Sequence, residues 1–388
     1  MTERPEISRI TRGLRHGLGT DKGERAIVPP WYPSTNYSFD DLGEPGGAYD
    51  YGRTRNPTRT LLAEALATLE GGVDAIITSS GMAAATLAVI ALVPTGGRVV
   101  ATHDLYGGTW RLLSRFEEQG RLTVDFVDLT DLDLARAALA APADLLWIET
   151  PSNPLLRISD IAALAGLGHA AGATVLVDNT FCSPLLQQPI SHGADLVMHS
   201  ATKFINGHSD VIAGALISAD RDLHETLFAW GNTLGVTGSS FDAWLTLRGL
   251  RTLEARQRLH EENALAVVEL LSGHPAVSAV HHPSIATHPG HDVATRQQSG
   301  YGSLLSFDLF GGREAASTLV KNLRCFDLAE SLGGVESLVA HPASMTHAAM
   351  PPEVLEAAGI TPGLLRLSVG IEPQDDLVAD LRHALDQL

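Results

Sequence analysis

Short apolar runs alternate with longer Ala- and Leu-rich stretches through the middle of the chain. The apolar runs cover residues 75–78, 98–101, 122–127, 145–148 and 174–177, and intervening stretches such as 158–171 have helical length. This alternation predicts an α/β fold with a mostly parallel, doubly wound sheet that helices cover on both faces. Ligands of such sheets bind beyond the carboxyl ends of the strands, so polar residues that end an apolar run are the first candidates for chemistry.

The pattern changes near residue 248. Residues 248–274 predict one long helix, a Pro-, Gly- and His-bearing loop follows at 282–291, and apolar runs at 304–307 and 364–369 precede a closing helix at 375–385. We therefore predict a large domain at 61–255 and a smaller C-terminal α/β domain at 256–388. Residues 1–60, rich in Pro, Gly, Tyr and Arg, predict an extended arm that contacts a neighbouring subunit.

Composition restricts the partners. The formal net charge of −18 and the lack of a basic run disfavour nucleic acid and anionic membranes. The longest apolar stretch, 82–93, is shorter than the roughly 20 residues that span a bilayer. The only cysteines, Cys182 and Cys325, suggest packed thiols in a reducing cytoplasm. The 16 histidines lack metal-ligand spacing, so we expect no metal site.

A single amine ends the apolar run at 194–203. Lys203 follows the hydroxyl residues Ser200 and Thr202, and the chain contains only three lysines among its 27 Lys and Arg residues. An amine, unlike a guanidinium, can form a Schiff base. Taken alone, Lys203 is better explained as a solvated lysine after a strand, and its neighbours favour a chemical role.

Other strand ends carry residue types that pyridoxal phosphate requires. Asp178 follows the run 174–177 and could keep a pyridine nitrogen protonated. Gly81 and Met82 begin an Ala-rich helix whose first amides could bind phosphate, and Tyr106 follows the next strand at a height suited to ring stacking. Tyr51 and Arg53 offer a phenol and a guanidinium to phosphate. Each feature alone has an ordinary explanation, such as a helix cap.

Several segments, in order along most of the chain, resemble the Cys/Met-metabolism family of fold-type I pyridoxal-phosphate enzymes. The similar segments are 51–58, 80–82, 149–154, 178–181, 199–203, 206–210, 331–337 and 366–370. The resemblance implies that Lys203 binds the cofactor aldehyde as a Schiff base, that Asp178 meets the pyridine nitrogen, and that Tyr106 stacks on the ring. Tyr106 is also the candidate to assist proton transfer or thiol activation. It assigns the phosphate to Gly81, Met82, Ser200 and Thr202, with Tyr51 and Arg53 reaching it across a subunit boundary.

The same resemblance implies a substrate site and an assembly. Arg366 would bind the substrate α-carboxylate. The other residues assigned to substrate binding are Asn153, Ser337, Glu336, Arg111, Asp50 and Asn232. The assembly implied is a homotetramer built from dimers with shared active sites, acting on small amino-acid substrates.

Within this family, the residues favour γ-replacement, which makes L-cystathionine from an O-acyl-L-homoserine and L-cysteine in transsulfuration and methionine biosynthesis. The segment 230–238 and Asp50 resemble bacterial enzymes of this type, and Glu336 resembles the acidic residue of γ-acting members. Val335 stands where β-eliminating members tend to carry a bulky aromatic residue. Thr54 replaces an arginine found in relatives that use succinylated homoserine, so the acyl group is left open.

Other reactions and classes remain as alternatives. The first is γ-elimination of cystathionine to cysteine, 2-oxobutyrate and ammonia with the same residues, and sulfhydrylation of an O-acylhomoserine is a weaker one. From another class, a non-catalytic α/β protein that binds a dinucleotide or a partner lacks the Gly-x-Gly-x-x-Gly fingerprint after its first strand.

Overall fold

Residues 6–56 contain little regular structure. The structure is a computed structural model that describes residues 6–348 and 350–388. Helix α1 (Arg9–Leu14) is followed by an exposed ribbon of β1 (Phe39–Asp41) and β2 (Glu44–Pro45). Large apolar side chains of this segment, including Ile27, Trp31 and Leu42, are exposed. Exposed apolar side chains that form a contiguous patch often mark interfaces between chains.

The middle of the chain forms a seven-stranded sheet with helices on both faces. Its elements are α2 (Pro57–Glu70), β3 (Asp74–Thr78), α3 (Gly81–Leu92), β4 (Gly97–Thr102), α4 (Gly107–Glu118), β5 (Leu122–Val127), α5 (Leu132–Ala138), β6 (Leu145–Glu149), α6 (Ile161–Ala170), β7 (Thr174–Asp178), α7 (Ser183–Leu186), β8 (Leu196–His199), β9 (Gly214–Ser218), α8 (Arg221–Leu234) and α9 (Ser240–Leu250). The strand order is β3-β9-β8-β7-β6-β4-β5, and β9 alone runs against the others. The predicted doubly wound sheet is confirmed.

Period-two alternation along the strands explains the two helical layers. In β7, Val175 and Val177 pack with Ile161 and Leu164 of α6, whereas Leu176 belongs to the cluster that contains Leu87 of α3 on the other face. Strands buried on both faces are apolar throughout, so their first polar residues appear where they end. This places Glu149 and Asp178 at the carboxyl edge of the sheet.

The C-terminal part forms a second sheet of five strands. Its elements are α10 (Leu253–Ser272), β10 (Val277–His281), α11 (His291–Gln297), β11 (Leu304–Leu309), α12 (Gly312–Asn322), β12 (Phe326–Leu328), β13 (Ser337–Ala340), α13 (Pro352–Ala357), β14 (Leu364–Ser368) and α14 (Gln374–Leu385). The order is β10-β11-β14-β13-β12, with only β12 and β13 parallel. Helices α10, α12 and α14 contribute to its core.

The prediction of one helix over 248–274 is wrong. Helix α9 ends at Leu250 and α10 begins at Leu253. The buried Arg256 fills the break, donating from Nη1 to the Phe204 carbonyl at 2.8 Å and from Nη2 to the Gly249 carbonyl at 2.9 Å. Arg256 therefore joins the end of α9 to the turn after Lys203.

Both cysteines are reduced and protected to different degrees. Cys182 is buried beside α7, and Cys325 is partly buried before β12. Burial raises the pKa of the Cys182 thiol far above its ordinary value, and it raises the pKa of Cys325 as well. Since the thiolate is the reactive form, neither side chain is a ready nucleophile.

Among residues 6–348 and 350–388, no helix combines the length and apolar character needed to cross a membrane. The same residues include no group of three or more His, Cys, Asp or Glu side chains arranged to hold a metal ion.

Candidate active site

A cavity of about 370 Å³ opens at the carboxyl edge of the large sheet and is closed on one side by loops of the C-terminal part. Most of the predicted site residues line it: Gly81, Met82, Tyr106, Arg111, Asn153, Asp178, Ser200, Thr202, Lys203 and Arg366. The cavity thus collects residues from the ends of several separate strands, as expected for a doubly wound sheet.

Lys203 enters the cavity from the turn that follows β8. Its Nζ donates to the Ser331 hydroxyl at 2.7 Å. Burial lowers the pKa of Lys203 to about 8, the positive charge of Arg366 acts in the same direction, and Glu330 opposes them. The amine therefore loses its proton more readily than an exposed lysine does.

Asp178 ends β7 at the bottom of the cavity. Its Oδ1 accepts from the Thr180 amide at 3.0 Å and from the Thr180 hydroxyl. Burial raises the pKa of Asp178, whereas these two donors and the charge of His199 act to lower it. Among the described residues, no protein donor contacts Oδ2, so this oxygen is available to a ligand.

A hydroxyl links the two ends of the site. Thr180 Oγ1 donates to Asp178 and accepts from the Ser200 amide at 2.9 Å. Ser200 faces the start of α3, so the Asp178 end of the cavity is connected to the predicted phosphate end through one side chain.

The start of α3 supplies free amides. The Ser80 hydroxyl accepts from the Ala83 amide at 3.0 Å, whereas the Gly81 and Met82 amides lie in the first turn, where no intrahelical acceptor exists. Such amides favour an anion such as phosphate. Thr202 also lines the cavity, but its hydroxyl donates to the Ala213 carbonyl at 3.1 Å, so it is partly committed to the backbone.

Tyr106 is the N-cap of α4 and lines the cavity. An added Cβ at Gly108 would lie 2.4 Å from the Tyr106 ring and 2.9 Å from the Met82 sulfur. Glycine at 108 is therefore required for the ring to lie against the helix. The Tyr106 amide donates to Glu149 Oε2 at 2.8 Å.

Arg366 lies in β14 and closes the opposite end of the cavity. Nη1 donates to Asn153 Oδ1 and Nη2 to the Ser331 carbonyl, both at 2.9 Å. Burial lowers the pKa of Arg366 to about 10, so the side chain stays charged at neutral pH. Its Nε is buried and has no partner among the described residues. A guanidinium with unused donors suits a carboxylate.

Two predicted substrate residues lie elsewhere. The Glu336 carboxylate accepts from the Ser209 hydroxyl, and the Ser337 hydroxyl donates to Glu372 at 2.8 Å; neither residue lines the cavity. Ser337 begins β13 and faces the protein interior, which explains the difference. Glu330 and Ser331, which are in or beside the same motif, line the cavity instead.

Four other predicted residues are outside this cavity in the same chain. Arg53 donates to the Asn232 carbonyl at 2.7 Å in a separate cavity of about 90 Å³. Tyr51 is 48% exposed, and Asp50 is exposed beside it. The prediction that this group completes a neighbour's site stays a prediction.

Several lining residues were not predicted. They are Ser80, Gly108, Glu149, Pro151, Thr180, Phe181, Met198, Ile212, Glu330, Ser331, Leu332, Met345 and Thr346. Glu149 is the one that a sequence signal could have indicated, because it is the first charged residue after the apolar run 145–148.

The residues fit a phosphorylated pyridine aldehyde. Asp178 offers a free oxygen to a ring nitrogen, Lys203 offers an amine to the aldehyde carbon, and the start of α3 offers amides to phosphate. An added Cβ at Gly81 would lie 2.9 Å from the Ser200 Cβ, so the phosphate end is a narrow cleft that only glycine leaves open.

Comparisons with known proteins identify the family. Residues 11–386 match the family described as Cys/Met metabolism PLP-dependent enzyme. The chain is 48% identical over 373 residues to the cystathionine gamma-synthase of Escherichia coli (strain K12), with 96% of each chain covered. Its fold matches cystathionine gamma synthase from Xanthomonas oryzae pv. oryzae in complex with cystathionine, with a TM-score of 0.97, 53% identity and 99% of both chains covered. It also matches cystathionine gamma lyase (CalE6) from Micromonospora echinospora, with a TM-score of 0.93, 44% identity and coverage of 98% of this chain and 100% of the other. The chain therefore belongs to the Cys/Met metabolism family of pyridoxal-phosphate-dependent enzymes, which confirms the predicted family, fold and cofactor.

Proposed function

We propose that the chain catalyses γ-replacement, in which the Cγ–O bond of an O-acyl-L-homoserine breaks, the Cγ–S bond to L-cysteine forms, and L-cystathionine and the acyl acid are released. The observation that carries the proposal is the arrangement around Ser331. Its hydroxyl accepts from Lys203 Nζ, and its carbonyl accepts from Arg366. An amino acid whose α-carboxylate is bound by Arg366 would have its Cα beside the Lys203 amine. The similarity to cystathionine gamma-synthases supports this reaction.

The protein residues would hold the cofactor by its two ends. Asp178 would accept a hydrogen bond from the protonated pyridine nitrogen, Tyr106 would cover one ring face, and the Gly81 and Met82 amides with Ser200 and Thr202 would bind the phosphate. When bound, the cofactor supplies an electron-withdrawing ring that accepts the electron pair left by a departing Cα proton.

Proton transfer would fall to Lys203. With a pKa near 8, its amine can accept the Cα proton and return it within one turnover. Asn153 would hold Arg366 in place by the bond to Nη1. Tyr106, which also lines the cavity, would assist deprotonation of the incoming thiol.

Cystathionine γ-elimination is the second candidate, because the chain also matches a gamma lyase in fold and sequence. Both reactions use the same residues at Cα. They differ in whether a thiol reaches Cγ before the four-carbon fragment is released.

Substrate assays separate these reactions. Purified holoenzyme is given O-succinyl- or O-acetyl-L-homoserine with cysteine, and, separately, cystathionine alone. Cystathionine accumulation supports γ-replacement and identifies the acyl group. Release of 2-oxobutyrate from cystathionine that is faster than cystathionine formation establishes γ-elimination. Activity with sulfide that exceeds activity with cysteine would instead establish sulfhydrylation.

The role of Lys203 has a direct test. Lys203→Ala should abolish turnover and the visible absorbance of the bound cofactor, because no other amine lines the cavity in the described residues. Lys321→Ala, at an exposed position of α12, is the matched control and should retain both. Retention of both properties in Lys203→Ala would refute the assignment.

We also propose a homotetramer built from dimers with shared sites, located in the cytoplasm, with an arm at 1–60 and domains at 61–255 and 256–388. The exposed apolar side chains of the arm support an interface, and the position of Arg53 outside its own cavity supports shared sites.

A further inference from the structure

Glu149 is a buried carboxyl group for which the proposed reaction has no use. It ends β6, is 4% exposed and lines the cavity. In the parallel register it pairs directly with Asp178 at the end of β7. Because neighbouring strands lie about 4.8 Å apart, the carboxyl groups of Glu149 and Asp178 lie side by side in the wall of the cavity.

The surroundings do not favour two negative charges. The charged groups facing Glu149 are Asp178 from β7, Asp104 from the loop after β4 and Arg366 from β14. Arg366 is hydrogen-bonded to Asn153 and Ser331, and no cation is hydrogen-bonded to Glu149 among the described residues. Adjacent buried carboxylates hold a proton because like charges destabilise each other. Burial, followed by the charge of Asp178, raises the pKa of Glu149 well above its ordinary value.

Glu149 also holds the loop before α4. Its Oε2 accepts from the Tyr106 amide at 2.8 Å. Tyr106 is the N-cap of α4 and makes no side-chain cap of its own. The carboxyl of Glu149 therefore fixes the backbone that carries the Tyr106 ring, while Gly108 leaves room for the ring beside α4.

We propose that Glu149 is a positioning residue: in its uncharged form it fixes the Tyr106 backbone beside the cofactor and leaves Asp178 as the only anionic carboxylate at the pyridine end. This inference rests on the proposed function for the role of Tyr106 in turnover. The placement of the cofactor itself does not depend on which amino acid reacts.

Three variants separate an uncharged acceptor from a negative charge. Glu149→Gln keeps the length and an acceptor oxygen without an acid, Glu149→Asp keeps the acid and withdraws it by one methylene, and Glu149→Ala removes the group. We expect Glu149→Ala and Glu149→Asp to lose on the order of 100-fold in kcat/KM, since small misplacements near the reacting atoms have effects of this size. Glu149→Gln should recover most of that loss.

The decisive readout is spectroscopic and is recorded on holoenzyme without amino-acid substrate. Circular dichroism of the cofactor band should be altered in Glu149→Ala and Glu149→Asp and restored in Glu149→Gln. An infrared carbonyl band of a protonated carboxyl group should be present at neutral pH in the unmodified protein and missing in Glu149→Gln. Thermal unfolding confirms that each variant is folded.

The outcomes are distinct. Recovery by Glu149→Asp but not Glu149→Gln would mean that the site needs a charge, and this would overturn the proposal. An unaltered cofactor band in all three folded variants would also overturn it, as would equal impairment of all three. If the γ-replacement assignment alone is wrong, cystathionine formation fails while the spectroscopic pattern still appears.

Discussion

At the scale of single residues, the cleft beside Ser200 depends on the missing side chain of Gly81. An added Cβ there would lie 2.9 Å from the Ser200 Cβ and 3.0 Å from its Oγ, and the Ser200 backbone is also close. Real Cβ atoms do not approach this closely, so either α3 or the Ser200 turn must move. The same two segments offer the amides and the hydroxyl for phosphate, so the displacement falls on cofactor binding.

Gly81→Ala should therefore raise the Kd for pyridoxal phosphate by about tenfold or more, which corresponds to about 1.4 kcal/mol. The measurement is cofactor titration of the stripped protein. Gly166→Ala is the control: it lies in α6 at an exposed position where an added Cβ meets nothing within 4 Å. It should gain roughly 0.5–1 kcal/mol in unfolding free energy and bind cofactor normally. Equal Kd values for the two variants would contradict the narrow-cleft interpretation.

Lys203 should make the cofactor-free protein less stable at neutral pH. Its pKa is about 8 when folded and 10.5 when exposed, so between these values the unfolded chain binds the proton and the folded chain does not. Stability consequently rises as pH increases from 8 to 10.5, and the full penalty of the buried charge applies below pH 8.

Lys203→Met, stripped of cofactor, should exceed the stripped parent in unfolding free energy by on the order of 2 kcal/mol at pH 7. The difference should shrink toward pH 10. Urea unfolding at both pH values checks this, and a difference that does not change with pH would show that the charge of Lys203 is not its source.

At the scale of elements, the break between α9 and α10 supports the turn that carries Lys203. Arg256 binds carbonyls of the turn and of α9, and its Nε donates to the Thr252 hydroxyl at 3.1 Å. Glycine at position 249 allows this close contact between α9 and the turn, because an added Cβ would lie 2.1 Å from the Asn206 carbonyl oxygen. The turn therefore rests on the end of α9, with Arg256 as the donor that joins them.

Arg256→Met should lower the unfolding free energy by about 2–4 kcal/mol, because buried carbonyls lose their donors. Arg258→Met, an exposed neighbour on the same helix, should change it by less than about 0.5 kcal/mol. Denaturant unfolding of both proteins makes the comparison. Similar losses in the two variants would mean that the bonds to the turn contribute little.

The elements also show which parts of the site could be predicted. Asp178 ends a strand, and Lys203 and Gly81 lie in the turns or helix starts that follow strands. The carboxyl ends of parallel strands lie at one edge of the sheet, so these residues could be predicted to lie close together. Ser331 belongs to a loop and has a φ of 91°, a conformation that sequence patterns do not indicate. Its path is set by Gly333, where an added Cβ would lie 2.7 Å from the Phe204 amide nitrogen. The family motif therefore indicated the segment that reaches the cavity, but not that Ser331 is one of its members that lines it, and the roles of Glu336 and Ser337 stay predictions.

At the scale of the whole molecule, the cavity needs both sheets. The large sheet provides Lys203 and Asp178, and the C-terminal sheet provides Arg366 and the loop with Ser331. Alternation and length predicted both sheets, because these depend on local patterns. Local patterns do not indicate whether a second chain contributes to the site. Arg53 and Tyr51, the residues concerned, are exposed in the arm.

Shared sites predict complementation between inactive chains. When Lys203→Ala and Arg53→Ala chains are co-expressed with different tags, mixed dimers should contain one intact site, and activity should recover to about a quarter of the parent value under random pairing. Lys203→Ala with Asp178→Asn is the control, because both changes fall in the cavity of their own chain and no intact site can form. Recovery in the control, or none in the test pair, would argue against sharing.

The two protonated thiols have a consequence for an enzyme whose proposed co-substrate is cysteine. Disulfide exchange requires a thiolate, and the raised pKa values of Cys182 and Cys325 suppress that form. We therefore expect both thiols to exchange with cystine and other disulfides more slowly than the thiol of free cysteine does.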